Sequence, residues 1–280
     1  MKENLDLITI QSLNTTKVVD TLDQYGCCVI NNYLNKKELN NLKSEFDCMF
    51  LDAKKNNTFA INKHPTNKMG SFIVCKKNQL QAPYKTIKNI FTSKFMQKIA
   101  NAYFNCNHLL NDDIFLTQEQ PSKTELLPWH FDRRHALKFY INLVDVDETH
   151  GALAYDIGSH REGHFRANFY MLTGTKVGEI PNDIPEKELH RPTSIITKAG
   201  SLVIFDSDGF HKEGLLLKGK RKIIRGHSHS IPLVMYKAKF FDAHWWLKSY
   251  FNITKLLKKG GVRNIPAQRL SRAKSRNEKK

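Results

Sequence analysis

No stretch of this chain approaches the roughly 20 consecutive apolar residues that a membrane-spanning helix needs. Cysteine is sparse as well. There are five, Cys27, Cys28, Cys48, Cys75 and Cys106, an odd number without a CxxC pair. Neither a disulfide framework nor a zinc knuckle follows from that spacing. Cys27 and Cys28, adjacent inside an apolar run, read as small buried hydrophobes. The opening residues MKENLDLITIQSL lack the long apolar stretch of a signal peptide, so a reducing, cytoplasmic setting is expected. No internal repeat is visible. Negative charge is in deficit: 27 Asp and Glu face 44 Lys and Arg, a net charge of +17. That balance suits acidic partners, among them nucleic acid, anionic membrane and phosphate or carboxylate substrates. It equally suits the solvated surface of a Lys-rich chain.

What is present is a globular composition. Forty per cent of the 280 residues are hydrophobic and ten per cent aromatic, enough for one large domain with a modest appendage. Residues 12–24 carry a helical pattern that stops at Gly26, and GCCVINN then reads as a strand. Asn35 is placed to cap a helix in which Leu39, Leu42, Phe46 and Met49 recur at helical spacing. Residues 56–84 read as polar and irregular. Ser93 is placed to cap a helix carrying Phe95, Ile99 and Phe104. From residue 113 the pattern turns to short strands: IFLT, LKFYINLV, ALAY, TSIIT, SLVIF and RKIIRGHSHS, separated by turns. Within 137–143, Leu137, Phe139, Ile141 and Leu143 alternate with Lys138, Tyr140 and Asn142, which predicts one apolar and one polar face. Helices followed by antiparallel strands predict an α+β fold, a double-stranded β-helix (jelly roll) with N-terminal buttressing helices. The expected division is a single domain over 1–236, with 162–192 as a lid or insertion, and an aromatic, basic segment over 237–280.

The segment WHFDRRHALKFYINLVDVDETHGALAYDIGSHR concentrates the chemistry. His130 and Asp132 lie two apart, so on a strand both point to one face and can reach one cation. Imidazole and carboxylate in a facial arrangement suit Fe(II) and leave open positions for a chelating ligand and O2. In AGSLVIFDSDGFHKEG an apolar strand runs into a turn and then His211, a third ligand of the kind a late jelly-roll strand donates. Ten residues on, Arg221 opens another strand, where it could clamp a carboxylate in bidentate fashion.

These features resemble the phytanoyl-CoA dioxygenase family of Fe(II)/2-oxoglutarate oxygenases. The resemblance rests on four parts in order: the HxD at His130 and Asp132, the block VDVDETHGALAYDIGSHR, the strand ending on His211, and Arg221 beyond it. GCCVINNYLNKKELNNLKSEFD also resembles the family's N-terminal strand and helix, and the likeness spans roughly residues 20–236. It implies Fe(II) on the catalytic set His130, Asp132 and His211, 2-oxoglutarate chelating the iron, and Arg221 on its distal carboxylate. The implied reaction couples decarboxylation of 2-oxoglutarate to hydroxylation of a C–H bond of a small molecule. One position departs from the wider superfamily, which often carries Ser two residues after the arginine; here it is Ile223. A hydroxyl assisting Arg221 must come from elsewhere, with Tyr140 and Thr117 as candidates.

Other residues admit two readings. Arg225, His227 and His229 share a face with Arg221 if the strand is unbroken, and so either line a pocket for an anionic substrate or leave the sheet into solvent. Arg133, Arg134 and His135 either grip an anion at the mouth or form a solvated turn. His160 and Arg161, in GSHR, fall where the resemblance places the active-site rim, and Gly158 is there for backbone geometry. Substrate contacts are therefore sought at Arg133, His135, Arg161 and Arg225. A halogenase of this fold needs a small residue in place of Asp132. A nucleic-acid demethylase carries two arginines six apart after the distal His, where Arg221 and Arg225 are four apart. A catalytically silent scaffold is opposed by the intact set. Finally, Lys248 to Lys280 holds eleven Lys or Arg against one Glu and so carries +10 of the +17. With Phe240, Phe241, Trp245, Trp246, Tyr250, Phe251, Leu256 and Leu257 nearby, that end can pack on the core. It can also lie at the anionic inner face of a membrane.

Overall fold

The structure, a computed structural model, describes residues 2–64, 70–105, 108–110, 112–121, 127–132, 135–172 and 181–230. The segment 237–280 and Arg133 lie outside the described residues. Helix α1 (Lys2–Ile8) leads into the short strand β1 (Thr9–Ile10), and helix α2 (Thr15–Tyr25) follows. Asn14 caps α2 by accepting from the Lys17 amide at 3.1 Å. Gly26 ends it in the left-handed conformation, φ 74°, that glycine adopts freely. Strand β2 (Cys27–Ile30) is buried throughout. Burial raises the Cys28 thiol to about 12, in keeping with its reading as a small hydrophobe.

Helix α3 (Lys36–Asn56) begins with a full capping box. The Asn35 side chain accepts from the Glu38 amide while Glu38 accepts from the Asn35 amide. Its buried stripe is Leu42, Phe46, Met49, Phe50 and Ala53. Residues 56–84, expected to be irregular, instead supply β3 (Ile61–Lys63) and β4 (Ser71–Lys76). In β4 only Ile73 and Cys75 are buried, between half-buried Phe72 and exposed Val74 and Lys76. The alternation is too short to stand out from the polar residues around it. Helices α4 (Lys85–Phe91) and α5 (Lys94–Phe104) follow, the second capped by Ser93.

The remaining strands are β5 (His108–Leu110), β6 (Asp113–Glu119), β7 (Leu137–Asn142), β8 (Ala154–Asp156), β9 (Pro192–Ser194), β10 (Leu202–Asp206), β11 (His211–Lys212) and β12 (Arg221–Ser230). Helix α6 (His160–Leu172) lies between β8 and β9. Among the described residues the larger sheet runs β1-β2-β10-β7-β12-β6-β4-β3, with β5 on β12, and the smaller sheet runs β11-β8-β9. This is the jelly roll the sequence predicts, with helices packed on one side.

The central strands are buried on both faces. Leu137, Phe139 and Ile141 of β7 join Leu202 and Ile204 of β10 in one apolar core with α2, α3 and α5. Tyr140, Val203, Phe205 and Ile223 face the other way, into the space between the sheets, with Tyr155. The polar face predicted for β7 therefore becomes the interior wall of the roll. Helix α6 begins just before 162–192 and runs into it, where few regular elements were expected. Its buried side includes His160, His164 and Asn168, while Phe165 and Phe169 are exposed. An apolar stripe is what periodicity detects, and α6 has none. No described helix is long and apolar enough to cross a membrane.

Gly163 sets the seat of α6. A Cβ there would stand 1.7 Å from the Asp208 carbonyl oxygen, a backbone atom. Helix propensity alone would favour Gly163→Ala by about 1 kcal/mol. The clash reverses the sign, and we expect a loss of about 3 kcal/mol, seen as a lower urea midpoint with an unchanged slope.

Candidate metal centre and adjoining cavity

His130 and His211 are joined through the backbone. The His130 amide donates to the His211 carbonyl at 3.0 Å, and the His211 amide returns the bond at 2.8 Å. The Asp132 amide donates to the Ser207 carbonyl at 2.8 Å, so the HxD segment lies in extended form along 207–211. Alternation then separates two faces. Trp129 and Phe131 turn into an apolar cluster with Phe210, Ala167 and Ile184. His130 and Asp132 turn to the opposite side, toward His211.

One donor atom from each of His130, Asp132 and His211 lies within 4.8 Å of the others. Asp132 Oδ1 is 3.8 Å from His130 Nε2 and 3.9 Å from His211 Nε2. Each imidazole is oriented from behind: His130 Nδ1 is 2.8 Å from the Pro128 carbonyl and His211 Nδ1 is 2.8 Å from that of Gly209. A carbonyl at Nδ1 requires the proton there, which leaves both Nε2 lone pairs directed at the shared centre. Burial, reinforced by Lys138 and His130, pushes His211 down to about 3, so it is a neutral donor at physiological pH. The donor set fits a divalent first-row metal.

Lys138 belongs to this centre, and the sequence reading placed it on the polar face of 137–143 without giving it a role. Its Nζ is 2.7 Å from Asp132 Oδ2 and 3.3 Å from His211 Nε2. The carboxylate is thereby divided, with Oδ1 toward the histidines and Oδ2 toward the ammonium.

One inward step from Lys138 along β7, a small cavity of about 20 Å³ opens between the sheets. Thr117, Glu119, Tyr140, Glu213, Arg221 and Arg225 supply its polar wall, with Leu153, Val203 and Ile223 among the apolar lining. Arg221, 3% exposed, donates to Glu119 Oε2 at 2.6 Å and to the Gly151 carbonyl. Arg225 donates to the Tyr140 hydroxyl at 3.4 Å. Thr117 Oγ1, Glu119 Oε1, Glu213 Oε2, Arg221 Nε and Arg225 Nε have no hydrogen-bond partner among the described residues. Buried polar atoms are rarely left so, and five around one cavity mark a place for a polar ligand.

The structure thus brings Thr117, Tyr140, Arg221 and Arg225 to one cavity beside the three candidate metal ligands. Two other predicted contacts lie elsewhere. Arg161 donates to the Asp23 carbonyl at 3.0 Å, on α2, and is not part of the cavity lining. His135, 2% exposed, is set against Asp208 behind the HxD segment rather than at a mouth. His160, expected at the rim, is also buried, near the Asp23 carbonyl. Gly158, with φ 90°, does hold a backbone conformation suited to glycine. Glu119 and Glu213 were missed. Their acidic character gave no signal because their arginine partners come from a strand about a hundred residues away or from across a turn.

A jelly roll with a two-histidine, one-carboxylate centre and a neighbouring cavity that holds two arginines and two glutamates has the architecture of a non-haem iron oxygenase. The sequence profile of the phytanoyl-CoA dioxygenase (PhyH) family matches residues 22–214, and the chain belongs to that family of Fe(II)/2-oxoglutarate-dependent oxygenases. Solved structures share the fold at low identity. AviO1 from Streptomyces viridochromogenes Tue57 aligns at a TM-score of 0.56 and 14% identity, over 79% of this chain and 97% of that one. EctD from S. alaskensis with bound Fe gives 0.56 and 15%, over 78% of each chain. HygX from Streptomyces hygroscopicus, with nickel, 2-oxoglutarate and hygromycin B bound, gives 0.54 and 12%, over 76% and 86%. No curated protein matches the sequence.

The Lys138 ammonium has two opposed effects on metal binding. Orienting Asp132 is worth about 1.5–3 kcal/mol as a charge-assisted hydrogen bond. Repulsion of a divalent ion held by the same donors, at an effective dielectric of about 20, is several kcal/mol before screening. Repulsion wins, so Lys138→Met should bind Fe(II) more tightly than wild type in anaerobic competition titrations. Weaker binding would show that holding Asp132 is the larger effect.

Proposed function

We propose that this chain is an Fe(II)- and 2-oxoglutarate-dependent dioxygenase that hydroxylates an unactivated C–H bond of a small, anionic molecule. The carrying observation is the conjunction of the His130, Asp132 and His211 centre with a cavity walled by Arg221 and Arg225, in which the Nε of each arginine lacks a partner among the described residues. EctD, with bound Fe, and HygX, with nickel and 2-oxoglutarate bound, support the same reading by fold.

In this reading His130, Asp132 and His211 hold the iron. When bound there, iron and 2-oxoglutarate supply the oxidising power that activates O2, with decarboxylation of the cosubstrate. The chain's own residues bind and orient. The carbonyls of Pro128 and Gly209 fix both imidazoles as Nε2 donors. Arg221, held in the cavity wall by Glu119 and Gly151, faces the distal carboxylate of 2-oxoglutarate, with Tyr140 and Thr117 offering hydroxyls at the same wall. Arg225 stands between that wall and Lys138. The apolar lining from Leu153, Val203 and Ile223 excludes water from the carboxylate's stem. The lid that sets substrate choice is assigned to the region 162–192, whose described residues include most of α6. The substrate's charge is argued from the net +17 of the chain, which also suits a lipid-linked molecule met at the anionic inner face of a membrane.

One observation favours a second reading. Lys138 Nζ, against Asp132 and His211, resembles a protein cation standing in for a metal, as in a catalytically silent binding protein of this fold. Metal content separates the two. The oxygenase reading expects one Fe(II) held by His130, Asp132 and His211, loss of that ion in Asp132→Ala with the fold retained by circular dichroism, and succinate formation by wild type alone. Wild-type protein that neither binds Fe(II) nor turns over 2-oxoglutarate would sink it.

The two arginines are separable as well. Arg221→Ala removes the cation in direct contact with Glu119 and the stronger of two arginine influences on Glu213, leaving both buried carboxylates under-compensated beside the cosubstrate. Arg225→Ala removes the weaker influence and leaves the Arg221–Glu119 contact in place. Anaerobic titration of 2-oxoglutarate should therefore show a loss of affinity at least tenfold larger for Arg221→Ala, about 1.4 kcal/mol. The reverse order would move the carboxylate to Arg225.

A further inference from the structure

A second cluster of metal-ligating side chains lies behind the HxD segment and takes no part in the reading above. His135, His164, Asp206 and Asp208 are all at most 5% exposed, and both aspartates are at 0%. They come from three places: the residue just past the HxD segment, the first turns of α6, and the end of β10 with the turn before His211. Donor atoms of His135, His164 and Asp208 lie within 4.8 Å of one another. His135 Nδ1 is 2.7 Å from Asp208 Oδ2, and His164 Nε2 is 2.9 Å from Asp206 Oδ2.

These contacts are short without being aligned. His135 Nδ1 and Nε2 and His164 Nε2 all lack a partner of hydrogen-bond geometry among the described residues. In an ion-paired network the N–H points at the carboxylate oxygen. In a coordination site the donors point at a common centre, and neighbouring donors approach one another off-axis. The outer partners fit the second case. The Tyr103 hydroxyl donates to Asp206 Oδ2 at 2.8 Å, the Asp208 amide donates to Asp206 Oδ1 at 2.9 Å, and the His135 amide donates to Asp208 Oδ2 at 3.1 Å. Ligands held from outside in this way are typical of metal sites. Burial holds His135 below its usual range, while Asp206 and Asp208 outweigh burial and raise His164. The two carboxylates therefore exceed one imidazolium by a single negative charge, and a divalent cation would displace that proton and supply the balance.

We propose that His135, His164, Asp206 and Asp208 form a second, structural metal site for a divalent cation of the zinc class, separate from the catalytic centre. Nitrogen and oxygen donors in a closed set of four suit Zn(II), and a closed set leaves no position for substrate. The ion staples α6 to both segments that carry the iron ligands. It does so independently of whether the first centre binds iron.

The test uses full-length protein with Zn(II) as the probe and three variants. Asp132→Ala/His211→Ala removes the catalytic centre. His135→Asn, added to that background, removes a ligand while keeping a residue that accepts the left-handed φ of 46° found there. Asp208→Asn is the third, in the same background. The double variant should retain one Zn(II) per chain after gel filtration, and Zn(II) should raise its melting temperature. Adding His135→Asn or Asp208→Asn should weaken that binding by more than about tenfold and abolish the thermal shift. With Co(II) in place of Zn(II), the double variant should show the intense visible bands of a tetrahedral ion. A double variant that binds no Zn(II), or one whose binding is indifferent to both added substitutions, overturns the proposal.

Discussion

The reciprocal pair of backbone hydrogen bonds between His130 and His211 is the constraint on which the centre depends. These residues are 81 positions apart in sequence, and neither side chain contributes to the pairing. Because the pair is antiparallel and closely spaced, the two side chains emerge on one face. The ring centroids are accordingly 4.5 Å apart. Asp132 follows by the two-residue repeat of extended chain, held by its own bond to Ser207. The scaffold thus fixes the donors before any metal arrives, which lowers the ordering cost of binding.

The same repeat runs through β7 and gives that strand two separate duties. Leu137, Phe139 and Ile141 pack against the helices. Lys138, Tyr140 and Asn142 stand on the wall between the metal centre and the cavity. Polar side chains at alternate positions of a central strand are costly unless paired, and here each is partnered: Lys138 with Asp132, Tyr140 with Arg225, Asn142 with Thr197. The interior of the roll is therefore a polar, charge-balanced channel enclosed by an apolar shell.

That division explains what could be read from the residues alone. The strand β12 falls on RKIIRGHSHS as predicted, the caps Asn35 and Ser93 begin α3 and α5, and the order HxD, distal His, Arg is local enough to recognise. The rest depends on pairing that no short window contains. Glu119 meets Arg221 across 102 positions, and β4 becomes a strand because β6 is there to receive it. Arg161 and His135 have the right chemistry beside the right motif, yet chain direction takes the first to the end of α2 and the second behind the HxD segment. Helix α6 escaped notice because its inward side is made of histidine and asparagine, which bury for their hydrogen-bonding and charge partners rather than for apolar area.

Gly163 touches the backbone of the turn that precedes His211, with no room for a methyl group between them. The first turns of α6 and the turn carrying residues 206–209 therefore move, if at all, as one body. The outward residues Phe165 and Phe169 stack on each other rather than on that turn. The start of α6 is therefore a rigid strut: a push on the turn before His211 passes into the helix through backbone atoms, with no compressible side chain to absorb it.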